Sequence, residues 1–166
     1  MNIANELIDA AGRWPDGTAL LFDDQAIGFG TLAQRAGHWQ DGLQRLGVQA
    51  GDRIAMLLPN SPEFAYGYYA TVALGAVFVP LDPVLKADEL AEILADLQPR
   101  LLVVANGSEA AAREALAVKG DTLALYTVAD VEQSGRPAPL APLTLNAATT
   151  TAVVHPRRGD AVDPWW

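Results

Sequence analysis

Apolar positions in this chain alternate between two spacings, and the alternation predicts the order of elements. Residues 18–29 carry two short apolar runs around Asp23, Asp24 and Gln25, the pattern of a small hairpin. Leu32, Ala36, Trp39, Leu43 and Leu46 then recur at helical spacing, with Gln34, His38, Asp41 and Arg45 on the opposite, polar side. Thr31 with Gln34 makes a capping box at the start of that helix, and Gly47 supplies a stop. Residues 53–58 follow as an apolar run between the turn Ala50-Gly51-Asp52 and Pro59, as a buried strand would be. Ser61 as a cap, Pro62 at the first helical position and Glu63 at the positive end of the dipole open the next helix. Its inner face is Phe64, Tyr68, Thr71, Val72 and Gly75.

The same alternation continues. Residues 76–80 read as a second buried strand, and Leu90, Ile93, Leu94 and Leu97 mark a third helix closed by Pro99. Residues 101–105 are a third strand, Asn106-Gly107-Ser108 turns into an alanine-rich helix, and residues 122–126 are a fourth strand. Strands that are apolar throughout and alternate with helices predict an α/β fold: a mostly parallel sheet with helices on both faces, preceded by the small N-terminal hairpin. Past about Val131 the character changes, with Pro137, Pro139 and Pro142 in a stretch rich in Ala and Thr. That composition suits a linker or an irregular extension along the domain edge. The expected division is an α/β unit over 1–131 and a Pro-rich C-terminal extension with an aromatic tail over 132–166. No internal repeat is visible.

Composition narrows the class of partner. At 166 residues the chain fits one domain with a real core, and a hydrophobic content of 51% excludes a disordered chain. Eleven Lys and Arg against twenty Asp and Glu leave a net charge of −9, which repels a phosphate backbone, so no nucleic-acid partner is expected. With no cysteine there is no disulfide framework, thiolate metal site or thiol nucleophile. The first residues, broken by Glu6 and Asp9, do not form a secretory signal, and no apolar stretch is long enough to span a bilayer. A cytoplasmic location is the resulting expectation.

Few side chains suggest chemistry. Gly28, Gly30 and Ala33 match a G-x-G-x-x-A dinucleotide fingerprint between a strand and a helix. The acidic residue that should end the second strand is missing, however: residues 53–58 run into Pro59 and Asn60, and Asp52 lies before the strand. A turn with a helix start explains the glycines better. The two histidines, His38 and His155, have no supporting motif; His38 falls on the polar helix face as a solvated side chain and His155 in a loop-like tail. Ser61 and Ser108 read as caps, since neither stands in a G-x-S-x-G turn. No pair of carboxylates stands out as acid and base. Phe64, Tyr66, Tyr68 and Tyr69 sit together on one helix and read as core packing. Trp165 and Trp166, two adjacent indoles at the end of the sequence, form a possible interface, either with this chain's own surface or with another subunit.

Taken in order, several blocks carry a family likeness. Residues 27–32 (Ile-Gly-Phe-Gly-Thr-Leu), 42–48 (Gly-Leu-Gln-Arg-Leu-Gly-Val), 51–64 (from Gly-Asp-Arg-Ile to Ser-Pro-Glu-Phe), 73–83 (Ala-Leu-Gly-Ala-Val-Phe-Val-Pro-Leu-Asp-Pro) and Glu89-Leu90 resemble the opening of the adenylate-forming, or AMP-binding, superfamily. That group includes acyl-CoA synthetases, fatty-acyl-AMP ligases, nonribosomal adenylation domains and beetle luciferases. The resemblance covers about residues 15–130. Lys86 departs from it, standing where a Ser or Thr usually caps the next helix, which should weaken that helix start.

The resemblance implies a reaction in which a carboxylate and ATP, assisted by Mg²⁺, give an acyl-adenylate that is passed to a thiol. It also implies that the phosphate-gripping loop is rich in Ser, Thr and Gly and ends in Lys. Here Thr149-Thr150-Thr151 has no glycine beside it and no lysine after it, and the only lysines are Lys86 and Lys119. Residues 158–162 (Arg-Gly-Asp-Ala-Val) look like the lead-in to the strand before that loop, followed by Asp163-Pro164-Trp165-Trp166. The family's Thr-Glu pair, ribose-binding Asp and C-terminal-domain Lys have no counterpart. The expectation is therefore a ligase fragment truncated before the phosphate loop, with no catalytic, cofactor-binding or metal residue of its own. ATP and Mg²⁺ belong to the full-length family. Two alternatives stay open: a non-catalytic interaction protein on the same scaffold, forming a homo-oligomer or joining a larger ligase subunit, and one half of a split ligase.

Overall fold

The computed structural model describes residues 2–120 and 122–143. It opens with a helix that the apolar pattern did not announce, α1 (Ala4–Arg13). Asn2 ties this helix down: its Oδ1 accepts from the Ala4 amide at 3.0 Å and its Nδ2 donates to the Val72 carbonyl at 2.8 Å. Ala4 and Leu7 are buried in consequence. The hairpin follows as predicted, β1 (Thr18–Phe22) and β2 (Gln25–Gly28), antiparallel across a turn at Asp23-Asp24.

The long helix α2 (Phe29–Arg45) buries Leu32, Ala36, Trp39 and Leu43, as its spacing requires, and Leu46 is half-buried just past its end. Trp39 and Leu43 are fully buried, each contributing roughly 1.5–3 kcal/mol by leaving water. Gly47 terminates the helix in the left-handed region, at φ 87°. The cap differs from expectation. The first non-helical residue is Gly28, no side chain caps the helix, and Thr31 already lies inside the first turn.

From β3 onward, alternation gives the main sheet. β3 (Arg53–Leu57), α3 (Pro62–Ala73), β4 (Val77–Leu81), α4 (Ala87–Leu97), β5 (Leu101–Val104), α5 (Glu109–Lys119), β6 (Ala124–Thr127) and α6 (Val128–Ser134) follow in order. The strands form a four-stranded sheet in the order β4-β3-β5-β6, parallel at every pairing. Ile54, Met56, Leu101 and Val103 face α1, α2, α3 and α6; Ala55, Leu57, Leu102 and Val104 face α4 and α5. Both faces are covered, which is why these strands read as unbroken apolar runs.

Helix starts show where local signals fell short. Ser61 and Ser108 occupy the cap positions of α3 and α5, yet neither side chain makes a capping bond. At α4 the backbone amide of Lys86 is satisfied by the Glu89 carboxylate at 3.2 Å, so the helix begins without a hydroxyl cap. Thr127 does cap: its Oγ1 accepts from the Asp130 amide at 3.1 Å, and the Asp130 carboxylate accepts from the Thr127 amide at 2.8 Å.

Residue 131 lies inside α6, where Val131 is fully buried. The chain beyond α6 lies along α2. Gln40 is buried and pairs with Ala141 through both halves of its amide: Nε2 donates to the carbonyl at 2.7 Å, and Oε1 accepts from the amide at 2.9 Å. Leu140 is buried, and the Leu143 amide reaches the Ala73 carbonyl at 2.9 Å. No described helix is long and apolar enough to cross a membrane.

Candidate functional site

The glycine motif at α2 is structural. The Phe29 amide donates to the Gly17 carbonyl at 3.0 Å and the Gly30 amide to the Pro15 carbonyl at 2.9 Å. A Cβ on Gly28 would stand 2.7 Å from that Pro15 oxygen, so the glycine admits the preceding turn. Amides that a dinucleotide fingerprint would offer to pyrophosphate are thus taken by backbone carbonyls, and β2 belongs to the hairpin instead of the parallel sheet.

His38 is not a solvated side chain. Its Nε2–H donates to the Glu132 carbonyl at 2.8 Å, joining α2 to α6 in a half-buried contact. Around it, Arg35 pairs with Glu132 and lies over the Tyr66 ring at 5.3 Å from its centroid. The Trp39 indole also donates to Glu132, at 3.4 Å. Burial pushes the Tyr66 hydroxyl above its ordinary value, with the Arg35 charge opposing. On the same helix the Arg45 hydrogen bond holds the Asp41 carboxyl below its usual range. These groups satisfy one another across a helix interface and leave no nucleophile or base aimed at open space. Phe64 and Tyr68 meet Phe78 edge-on at centroid distances of 5.2 and 5.3 Å, and Tyr66 is buried, so the aromatic group is core.

Topology locates the place where this architecture binds ligands. β3 is followed by α3 on one face and β5 by α5 on the other, so the chain parts between the carboxyl ends of these two neighbouring strands. Open α/β sheets take ligands at such a point. A crevice of about 440 Å³ opens there, between the first turns of α4 and α5. Leu57 at the end of β3 and Pro59 just past it, Pro83 and Leu85 after β4, and Ala105, Gly107 and Ser108 after β5 contribute to its walls. Among the described residues, Ser108 and Glu114 are its only lining side chains with hydrogen-bonding atoms. In sequence Ser108 reads as a cap, and the alanines, leucines and prolines around the crevice carry no chemical signature. Their common signal is position, each following a strand's carboxyl end or opening the next helix.

The lining does not fit Mg²⁺ and ATP. Among the described residues no basic side chain borders the crevice to meet a triphosphate. Asp88, Glu89 and Glu109 already sit in the first turns of α4 and α5, where an anion would have to bind. Among the described residues no three His, Cys, Asp or Glu side chains converge as a metal site. Trp165, Trp166, His155 and the triplet at 149–151 lie outside the described residues.

This is a doubly wound α/β unit whose switch-point crevice is apolar, a scaffold class that hosts many chemistries. A family model described as AMP-binding enzyme matches residues 7–163, and the chain belongs to that family. A long-chain-fatty-acid–CoA ligase of Bacillus subtilis is 34% identical over 97 residues, covering 58% of this chain and 17% of the ligase. Malpinin synthetase of Mortierella alpina is 33% identical over 99 residues, covering 60% of this chain and 1% of the synthetase. The chain therefore spans less than a fifth of the length of these curated relatives. A solved long-chain-fatty-acid-CoA ligase of Archaeoglobus fulgidus superposes with a TM-score of 0.82 over 93% of this chain and 34% of its own, at 20% identity, a likeness of fold alone.

Proposed function

We propose that this chain is the N-terminal scaffold of an ATP-dependent acyl-adenylating ligase, a truncated acyl-CoA synthetase-like piece that does not adenylate by itself. The observation that carries this reading is the lining of the switch-point crevice, to which the described residues bring one hydroxyl, one carboxylate and no cation. Adenylate transfer needs donors and cations arranged around developing phosphate charge, and the described residues of that crevice do not supply them. The part of the reaction left to this chain is to hold a rigid sheet against which a longer ligase builds its site.

Carboxylate-dependent ATP–pyrophosphate exchange tests the reading. The purified chain, assayed with aliphatic, aromatic and amino acids, is expected to show no exchange above background. Exchange that is saturable in both ATP and a carboxylic acid would overturn it.

A second reading, an interaction protein on the same scaffold, draws support from large apolar side chains left in water: Val84 is 82% exposed, Leu21 77% and Trp14 59%. It predicts a homo-oligomer, or a complex with a larger ligase subunit, in which Trp165 and Trp166 take part. Light scattering separates the two readings. A monomer whose mass is unaffected by Trp165→Ala with Trp166→Ala, alone and mixed with candidate ligase polypeptides, removes the second.

A further inference from the structure

We propose that the crevice between α4 and α5 is a binding site for a small amphiphile with a hydrocarbon body and a cationic amine head, and that it rejects carboxylates. Its volume of about 440 Å³ falls within the range of small-molecule pockets, roughly 300–1,000 Å³. The body of the ligand would lie against Leu57, Leu85 and Leu90, which line the apolar part. Leu57 and Leu90 are otherwise buried, so this wall belongs to the core and is held in place by it.

Charge selects the head. Among the described residues, Glu114 is the only charged one lining the crevice. The positive ends of the α4 and α5 dipoles, which would otherwise attract an anion, are countered by Asp88, Glu89 and Glu109 in their first turns. Lys86 and Arg113 neighbour lining residues in sequence but do not line the crevice. An ammonium head near Glu114 therefore gains an ion pair, a hydroxyl head gains a hydrogen bond, and a carboxylate head meets repulsion. The chain's net charge of −9 acts in the same direction. This selectivity is opposite to that of an acyl-substrate pocket, so the inference stands whether or not the ligase reading does.

Titrations of the chain with hexylammonium, hexanol and hexanoate at one ionic strength, followed by the methyl resonances of Leu57, Leu85 and Leu90, test it. Saturable shifts are expected for hexylammonium, weaker binding for hexanol and none for hexanoate. Glu114→Gln should erase a preference of about two- to fivefold for the ammonium over the alcohol while leaving hexanol binding unchanged. Ala111→Trp, at an exposed position on the crevice wall, should abolish binding of hexylammonium and hexanol and leave distant amide resonances in place. Hexanoate binding as well as hexylammonium, no saturation by any probe, or an ammonium preference that survives Glu114→Gln would overturn the proposal.

Discussion

Replacing Gly37 by alanine sets two effects of opposite sign against each other. Gly37 lies in the middle of α2, where alanine is intrinsically favoured by about 1 kcal/mol. A Cβ there would overlap the Ala138 carbonyl oxygen and stand 2.6 Å from the Leu140 amide nitrogen and 2.8 Å from the Pro139 carbonyl carbon. These are backbone atoms, so no rotamer change relieves the overlap, and the segment after α6 has to lift off the helix. Lifting exposes Leu140, at about 1.5–3 kcal/mol. It also breaks both hydrogen bonds between Gln40 and Ala141, at about 1 kcal/mol each. The overlap wins, and Gly37→Ala is expected to lose about 2.5–4 kcal/mol overall. Urea unfolding followed by the fluorescence of buried Trp39 measures it, with hydrogen exchange at the Ala141 and Leu143 amides reporting on the segment directly. Gly12→Ala in α1 is the control: a Cβ there meets nothing within 4 Å, so that variant gains up to about 1 kcal/mol. If Gly37→Ala matches or exceeds the parent in stability, or the Ala141 amide stays as protected as before, the packing argument is wrong.

Two further variants probe polar groups. Among the described residues the Thr71 hydroxyl oxygen is buried without a hydrogen-bond partner, so the near-isosteric Thr71→Val should raise stability by about 1 kcal/mol in equilibrium unfolding. A loss of stability would mean that the hydroxyl is satisfied. Hydrogen bonds from the Thr127 amide and then from its hydroxyl hold the Asp130 carboxyl below its ordinary value of 3.8. A depressed folded-state value stabilises the protein above the unfolded value, and that contribution fades as pH falls through the folded one. Asp130→Asn should accordingly cost stability at pH 7 and progressively less toward pH 2, and a gap constant across that range would refute the assignment.

Local sequence carried the hairpin, α2 through α5 and all four parallel strands, because each is set by apolar periodicity and by turn residues such as Gly47 and Pro59, which act within a few positions. It also carried the family, through ordered blocks that the match over residues 7–163 bears out. α1 and α6 were missed for a common reason. Each is secured by partners distant in the chain: Asn2 bonds to Val72, and His38 and Arg35 bond to Glu132. Ser61 and Thr31 show the converse, since cap chemistry written in sequence went unused once the backbone took another path.

Apolar spacing and motif order thus determined the α/β class, the succession of elements and the superfamily, all of which follow from rules that act over a few residues. Tertiary structure alone decided which carbonyls take the Phe29 and Gly30 amides, that His38 joins two helices, and that an apolar crevice opens where β3 and β5 part. The physical reason is the same each time. Whether an amide, an imidazole or a strand end is available to a ligand depends on which distant backbone reaches it first, and no local spacing encodes that contact.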